Sequence, residues 1–237
     1  MYIALLIVCL LIFAVYASSS ISLGIYVKAL CKIKINKPII AITFDDGPNP
    51  VYTPKVLEVL RENNIKALFF CVGSMAKKYP NIVKQIIDEG HIIGNHSYSH
   101  SNFFPIFSKN KMKADMEQCS CVLEKITGEK TLLFRPPFGV TNPIVASAIK
   151  ECGFKTVGWS IRSFDTISGP RENVVKRIIN KLHNGAIILL HDNRDNSNEL
   201  LQNLITKTLE KGYKIERLDK IDRLDKIVST YKDKNIL

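Results

Sequence analysis

The amino-acid sequence predicts an α/β protein whose parallel sheet is either open or closed into a barrel. Short apolar runs alternate with longer amphipathic runs from residue 38 to residue 218. Strands that alternate with helices in this way form a parallel sheet with the helices outside it. Ionisable side chains follow several of the apolar runs directly, at the ends of the predicted strands. An apolar N-terminal segment, residues 1–27, precedes this region and contains no charged side chain.

The predicted strands and helices follow one another in a regular order. The first strand is the apolar run IIAITF over 39–44, and the first helix, over 53–64, starts at Thr53 with Pro54 at its first helical position. The long helix over 109–128 ends at a glycine, which favours helix termination. The other predicted strands are 66–73, 91–96, 131–134, 154–161, 186–190 and 213–218, and the other predicted helices are 81–90, 142–153, 171–185 and 197–212.

Composition divides the chain into four parts. No linker interrupts residues 38–218, and a chain of 237 residues with 46% hydrophobic content is long enough to bury one sizeable core there. Residues 28–37 are expected to form a basic linker between the apolar segment and this domain. Residues 219–237, in which RLDKI is partly repeated, are expected to form a charged C-terminal tail.

The N-terminal segment is long enough to span a bilayer if its mild continuation is counted. Residues 2–17 are almost wholly apolar, and residues 18–27 extend them past the roughly 20 residues that a spanning helix needs. A cleavable signal peptide is the alternative, because VYA precedes Ser18, although no Lys or Arg precedes the apolar core. A buried helix of a soluble protein is the third alternative. The four lysines in 28–37 favour a cytoplasmic domain by the positive-inside rule, but large domains cross despite such charges, so the orientation stays open.

Charge and cysteine content restrict the classes of partner. The formal net charge is +11, which suits either anionic polymers and membranes or, more simply, a solubilising excess of lysine. No basic motif interleaved with aromatic residues points to nucleic acid, and nothing points to an obligate protein partner. None of the six cysteines forms a CxxC pair, so buried free thiols are expected rather than a disulfide framework.

Ionisable residues at the strand ends indicate an active site. In α/β barrels and open α/β sheets the carboxyl ends of the strands share one face, where active sites lie. Five sets of ionisable groups are therefore expected to converge on one rim. In chain order these are Asp45 with Asp46, His96 with His100, Arg135, Asp165, and His191 with Asp192.

The residue types in these sets suggest metal-assisted hydrolysis. His96 and His100 are four residues apart, the spacing that places two imidazoles on one metal from one face of a helical turn. Either Asp45 or Asp46 would complete a three-ligand site, and the other carboxylate would serve as a base toward metal-bound water. The competing interpretation of DDGP is a simple turn, which the convergence of histidines on the same rim disfavours.

Five motifs resemble, in order, those of the polysaccharide deacetylases of the NodB-homology type (carbohydrate esterase family 4). The resemblance covers about residues 38–218, and it implies a distorted (β/α) barrel that hydrolyses N-acetyl groups of N-acetylglucosamine-containing glycans. With the apolar N-terminal segment, we expect a protein that is anchored to a membrane or exported, with its catalytic domain outside the cytoplasm. The motifs are TFDDGP (43–48), HSYSH (96–100), RPPFG (135–139), WSIRSFDT (159–166) and LLHD (189–192).

The resemblance implies a role for each matching residue. It makes Asp45 the catalytic base, oriented by Arg135, and it makes His191 the general acid, kept protonated by Asp165. The backbone N–H of Phe138 would help to bind the oxyanion. The implied metal ligands are Asp46, His96 and His100, which would hold a divalent ion, usually zinc.

Other positions concern the substrate. The resemblance places Leu189 against the acetyl methyl group, whereas Trp159 is equally suited to stack on a sugar or to lie in the core. Two departures put the shape of the substrate in doubt: Asp165 is followed by Thr166 where many members have Trp, and Arg162 stands where another Asp is common. The polymer stays open between peptidoglycan, a chitin-like oligomer and an exopolysaccharide. An O-acetyl esterase and a catalytically idle glycan-binding module are the alternative functions.

Overall fold

The computed structural model of the chain describes residues 2–167 and 169–221, and the strands form one curled parallel sheet. The strands are β1 (Ile39–Asp45), β2 (Leu68–Cys71), β3 (Ile92–Asn95), β4 (Leu133–Phe134), β5 (Lys155–Thr156), β6 (Ile161–Arg162), β7 (Ile187–His191) and β8 (Lys214–Ile215). The helices are α1 (Tyr2–Ser19), α2 (Thr53–Glu62), α3 (Gly73–Lys78), α4 (Pro80–Asp88), α5 (Lys109–Thr127), α6 (Pro143–Glu151), α7 (Arg171–Asn180), α8 (Ser197–Glu210) and α9 (Leu218–Ile221).

All strand pairs are parallel, in the order β5-β4-β3-β2-β1-β7-β6, with β8 pairing to the start of β1. The outward side chains of β1 (Ile40, Ile42 and Phe44) belong to a large core beneath the helices. The inward residues face a second, smaller core that contains Ala41 and Phe70. The predicted α/β fold is thus confirmed as a half-barrel, because the sheet curls around this inner core.

Residues 28–37 pack on the half-barrel. Leu30 pairs with Val157 beyond β5, and Lys32 pairs with Ala186 at the start of β7. Ile33 is buried in the inner core, and its N–H donates to the carbonyl of Gly185 over 2.8 Å. The segment expected to be a basic linker therefore runs from the β5 edge of the curled sheet to β7, the strand next to the other edge.

The predicted strand over 154–161 is two short strands. Its first part, β5, pairs with β4 at one edge of the sheet, and its last part, β6, pairs with β7 at the other edge. Between them the carbonyls of Val157 and Gly158 accept hydrogen bonds from the Arg135 guanidinium. The chain therefore crosses the mouth of the half-barrel at Trp159.

The bounds of several other strands and helices also differ from those predicted. Helix α3 is absent from the sequence prediction, and the strand predicted over 66–73 ends at Cys71 because the N–H of Gly73 donates to the carbonyl of Ser97. Helix α7 ends at Asn180 rather than at 185, and β8 covers only Lys214–Ile215 of the predicted 213–218. Most of the tail predicted over 219–237 lies outside the described residues.

Helix α1 is the one described helix that is long and apolar enough to cross a membrane. Its side chains are almost all exposed, which does not fit the alternative of a buried helix in a soluble protein. Ala17 is buried, and the carbonyl of Ser18 accepts a hydrogen bond from the N–H of Thr141 over 2.9 Å. The C-terminal end of α1 therefore contacts the domain. A signal sequence near the N-terminus has the same length and composition.

Candidate metal centre and active site

The predicted site residues meet at the carboxyl ends of the central strands. Asp45 is the last residue of β1 and lies in register with Phe70 of β2 and His191 of β7. His96 directly follows β3, and the N–H of Arg135 donates to the carbonyl of Asn95 over 3.0 Å. The parallel register alone therefore brings residues from four distant parts of the sequence to one rim.

Three of these residues form a cluster with the composition of a metal site. The ligand atoms of Asp46, His96 and His100 all lie within 4.8 Å of one another. The Oδ1 atom of Asp46 is 3.5 Å from Nε2 of His96 and 3.2 Å from Nε2 of His100. One carboxylate oxygen and two imidazole nitrogens are a common donor set for zinc and related divalent ions.

The hydrogen bonding of His96 tests whether this cluster fits a cation. Its Nδ1 is 2.8 Å from the carbonyl oxygen of Arg135. Because a carbonyl only accepts, Nδ1 carries the proton, so Nε2 is the ring nitrogen that can bind a metal ion through its lone pair. Nε2 faces Oδ1 of Asp46 and, at 3.7 Å, Oδ2 of Asp45. A cation between these groups would be bound by an imidazole nitrogen and a carboxylate oxygen together, so the residues fit a divalent metal ion.

The HSYSH segment (residues 96–100) is an irregular turn, and the expectation of a helical turn is wrong. Ser97 and His100 have φ of 65° and 45°, which a helix does not allow. Asn95 accepts a hydrogen bond from the N–H of Ser97, and Asp115 of α5 accepts one from the N–H of Tyr98, each over 2.8 Å. These two side chains, which the sequence did not single out, hold the turn so that the two imidazole rings lie 4.9 Å apart.

Strained backbone is concentrated around the cluster. Asp46, Phe138 and Phe164 have φ of 75°, 60° and 57°, and Ser97 and His100 share the left-handed region. Non-glycine residues adopt this region at a cost of order 1–3 kcal/mol each, and they are concentrated at functional sites. The strain in these loops is therefore consistent with a site whose geometry is imposed by its surroundings.

The electrostatics of the cluster favour an ionised Asp46 carboxylate and a neutral His100 imidazole. Burial by itself raises the pKa of Asp46, but the hydrogen bond and charge of His96, together with the nearby His191 and His100, hold that pKa well below its usual range. Burial and the neighbouring His96 lower the pKa of His100. A metal ion requires both of these protonation states.

Asp45 is held by a fully buried arginine. Nη1 of Arg135 donates to Oδ1 of Asp45 over 2.6 Å and to the hydroxyl of Thr43 over 2.8 Å. The guanidinium lies 4.2 Å from the centroid of the Phe70 ring, and its other nitrogens bind backbone carbonyls. One oxygen of Asp45 is thereby fixed, while Oδ2 faces the metal cluster.

Asp165 and His191 form a second buried pair. Oδ1 of Asp165 is 2.7 Å from Nδ1 of His191, and Oδ2 accepts the backbone N–H of the same residue over 2.8 Å. Ser163 also donates to Oδ1 of Asp165. Burial lowers the pKa of His191, but the hydrogen bond and charge of Asp165 outweigh it and raise the pKa above its ordinary value. These contacts orient the imidazole and favour its protonated form.

A cavity of 170 Å³ joins the cluster to solvent. Leu189, Trp159 and Phe138 line it, and Trp159 is thus at the cavity rather than wholly in the core. Gly139, Arg162 and Thr166, which belong to the quoted motifs, and Arg194, which belongs to none of them, complete the wall. Arg194 was missed because it follows the last motif in a loop without a recognisable pattern.

The RPPFG turn (residues 135–139) packs closely against Trp159. Gly139 has a φ of 68°, and a side chain there would overlap the Trp159 ring. Phe138 is 41% exposed, and its ring meets His100 edge-on with centroids 4.9 Å apart. The turn therefore holds Trp159 at the cavity and places the Phe138 ring beside His100.

Asp192, the last of the ionisable residues at the strand ends, lies behind the cluster. It is buried, and its Oδ2 accepts a hydrogen bond from the Thr53 hydroxyl over 2.6 Å. A side chain at Gly47 would overlap its carboxylate. Burial raises the pKa of Asp192 to about 7. Asp192 therefore packs against the loop that follows β1 and carries Asp46, on the side that includes Gly47.

The curled parallel sheet and the site together are typical of metal-dependent hydrolases. Residues 32–157, more than half of the chain, match the family model described as polysaccharide deacetylase. A peptidoglycan-N-acetylglucosamine deacetylase of Bacillus cereus is 38% identical over 184 residues, covering 76% of this chain and 85% of that protein. The chain belongs to the polysaccharide deacetylase family, which includes enzymes that hydrolyse amide bonds, and the resemblance is confirmed.

Two further comparisons show the range of this family. A chitooligosaccharide deacetylase of Azorhizobium caulinodans is 36% identical over 162 residues, covering 68% of this chain and 77% of that protein. The crystal structure of a carbohydrate esterase family 4 pseudoenzyme from Bacillus anthracis superposes with a TM-score of 0.75 at 27% identity, covering 82% of this chain and 68% of that one. The family thus contains both active enzymes and an inactive member.

Proposed function

We propose that this protein removes N-acetyl groups from N-acetylglucosamine-containing oligo- or polysaccharides, such as peptidoglycan or chitin-like chains. The observation that carries the proposal is the pair of hydrogen-bonded dyads, Asp45 with Arg135 and Asp165 with His191, on either side of the Asp-His-His cluster. These residues would supply a base, an acid and a metal site around one cavity, which is the set that amide hydrolysis needs.

Asp45 acts as the general base in this proposal. Its Oδ1 is occupied by Arg135, so Oδ2, which faces the cluster, is the atom that accepts the proton of the attacking water. Asp46, His96 and His100 would hold a divalent ion, for which zinc is the best candidate, and that ion would supply a lowered pKa of bound water and polarisation of the acetyl carbonyl. The backbone N–H of Phe138 donates to the developing oxyanion.

His191 acts as the general acid. Its Nδ1 is engaged by Asp165, which leaves Nε2 to donate a proton to the sugar nitrogen as the bond between that nitrogen and the acetyl carbon breaks. The products are acetate and a free amine. Leu189 forms the apolar wall for the acetyl methyl group, and Trp159 offers a face on which the sugar ring stacks.

Acetate release by the full chain tests the function. The metal-stripped protein is reloaded with zinc and given N-acetylglucosamine oligomers, peptidoglycan fragments and an acetyl ester, with metal content measured in parallel. Metal-dependent acetate from an amide substrate is the expected result. Acetate from the ester alone would instead identify an O-acetyl esterase. No release from any substrate, with glycan still bound, would identify a catalytically idle binding module.

The pH dependence of kcat/KM tests the role of His191. The acid must be protonated to react, and Asp165 raises its pKa, so activity is expected to persist above the ordinary histidine pKa and to fall as pH rises through the shifted value. In Asp165→Asn the negative charge is lost, so the basic limb is expected to move down by about 1 pH unit or more. A basic limb at the same pH in both proteins would contradict this role.

We further propose that the catalytic domain lies outside the cytoplasm, where a cell-wall glycan would be found. Helix α1 supports this as either an anchor or an export signal. The mass of the mature protein distinguishes the two: an intact N-terminus indicates an anchor, and a chain that begins near Ser18 indicates a cleaved signal peptide. Protease protection of the domain in intact cells would contradict the extracytoplasmic placement.

A further inference from the structure

We propose that Arg162 and Arg194 select substrates that carry a carboxylate on the acetylated sugar or on its neighbour. This inference rests on the proposed deacetylase function and names the substrate class of the same site. Both side chains line the catalytic cavity, and both are exposed at its mouth. They come from different segments, Arg162 from β6 and Arg194 from the loop between β7 and α8.

The fold directs Arg162 into the cavity. In β6 the preceding residue, Ile161, points outward into the core beneath the helices, so the alternation of side chains along a strand turns Arg162 inward. Arg162 also lies in register with Leu189, which lines the cavity. Its guanidinium carbon lies 5.8 Å from the centroid of the Trp159 ring and 5.1 Å from that of the Phe164 ring. These aromatic faces hold the cation beside the expected sugar position.

The backbone of Arg194 is fixed as well. Its carbonyl accepts hydrogen bonds from both the N–H and the hydroxyl of Ser197, which begins α8. The residue follows the general acid His191 by three positions. Its side chain therefore extends from an ordered loop at the edge of the cavity.

The positive charge of Arg162 and Arg194 at the mouth of the cavity is not neutralised by neighbouring carboxylates. The arginines that form ion pairs in the described part of the chain are Arg61, Arg135 and Arg217; Arg162 and Arg194 have no carboxylate within 4.0 Å there. Inside the cavity Asp45 is paired with Arg135, and Asp46 faces the metal position. The exposed rim is therefore positive and attracts an anionic substrate.

The chemistry of the rim points to a carboxylate rather than to a neutral chitin-like chain. Guanidinium groups bind carboxylates through paired, charge-assisted hydrogen bonds. Two sources of such a carboxylate occur next to an N-acetylated sugar: a lactyl ether on the sugar itself, and a peptide attached to it. Neutral N-acetylglucosamine oligomers offer neither.

Four tetrasaccharide substrates separate these possibilities. The first carries free lactyl carboxylates, the second carries the same groups converted to primary amides, the third carries attached peptides, and the fourth is the neutral N-acetylglucosamine tetramer. We expect the full-length, zinc-loaded protein to prefer a carboxylate-bearing substrate over the amide form by about tenfold or more in kcat/KM. If only the peptide-bearing substrate is preferred, the peptide supplies the carboxylate.

The variants are Arg162→Gln, Arg194→Gln and their combination, with Arg162→Lys as the conservative change. The double variant is expected to lose the preference, so that its kcat/KM values for the carboxylate and amide substrates become equal to within about twofold. Lys55→Gln/Lys84→Gln removes two exposed charges on helices α2 and α4 and should keep the preference. Added salt should weaken the preference in the wild type and not in the double variant.

Equal kcat/KM for the carboxylate and amide substrates in the wild type would overturn the inference, as would a preference that survives in the double variant. Failure of the deacetylase function itself is distinguishable, because it would leave every substrate unhydrolysed. In that case binding of the first two substrates to Asp45→Asn, measured by calorimetry, decides the inference: tighter binding of the carboxylate form supports it, and equal binding overturns it.

Discussion

The Asp45→Asn variant is expected to lose about 10³-fold or more in kcat/KM for deacetylation while it keeps the metal. General-base catalysis contributes roughly 10²–10⁴-fold, and the asparagine amide cannot accept the proton of water. The carboxylate is held by Arg135 over 2.6 Å and contributes no atom to the Asp-His-His cluster. Acetate release and metal content, measured on the same preparations, check both halves of this expectation.

The same substitution is expected to lower the free energy of unfolding. Arg135 is fully buried, and removing one partner of a buried ion pair costs about 3–5 kcal/mol because the other charge is left uncompensated. The combination Asp45→Asn/Arg135→Met should therefore cost less stability than the sum of the two single changes, and it should not recover activity. Asp88→Asn, an exposed aspartate on α4, serves as the control and should alter neither quantity. Wild-type activity in Asp45→Asn would exclude this residue as the base.

The His96→Gln variant is expected to lose both the metal and the activity. His96 is buried, and its tautomer is set by the carbonyl of Arg135, so its Nε2 is the most constrained ligand atom of the cluster. Zinc at about 100 times its Kd stabilises a folded protein by about 2.7 kcal/mol, which raises Tm by on the order of 5–10 °C in a domain of this size. We expect this rise in the wild type and its absence in His96→Gln.

A second histidine provides the matched control for that measurement. His183 lies just after helix α7, away from the cluster. Its Nδ1 is 3.0 Å from the carbonyl oxygen of Lys181. His183→Gln should keep the rise in Tm on addition of zinc. Melting curves with chelator and with zinc compare the three proteins, and an undiminished rise in His96→Gln would show that the ion binds elsewhere.

The sequence predicted most of the scaffold because burial imposes a local pattern. Strands β1 and β7 are continuous apolar runs, as expected for strands covered on both faces. Helices α2, α5 and α6 agree with their predicted spans to within a few residues, since their termini carry local signals such as Pro143 and Gly128. The errors lie where a distant side chain replaces a local partner: Arg135 interrupts the strand over 154–161, and Asn95 with Asp115 holds residues 96–100 out of a helix.

The sequence by itself determined the identity of the chemical groups and their order at the strand ends, because a parallel sheet brings those ends together whatever its detailed shape. The tertiary structure decided which oxygen of Asp45 is engaged, which nitrogen of His96 carries the proton, and that Asp165 holds His191. It also decided that Arg162 and Arg194 share the mouth of the cavity. These properties depend on contacts between residues far apart in the chain, and only the curvature of the folded sheet sets such distances.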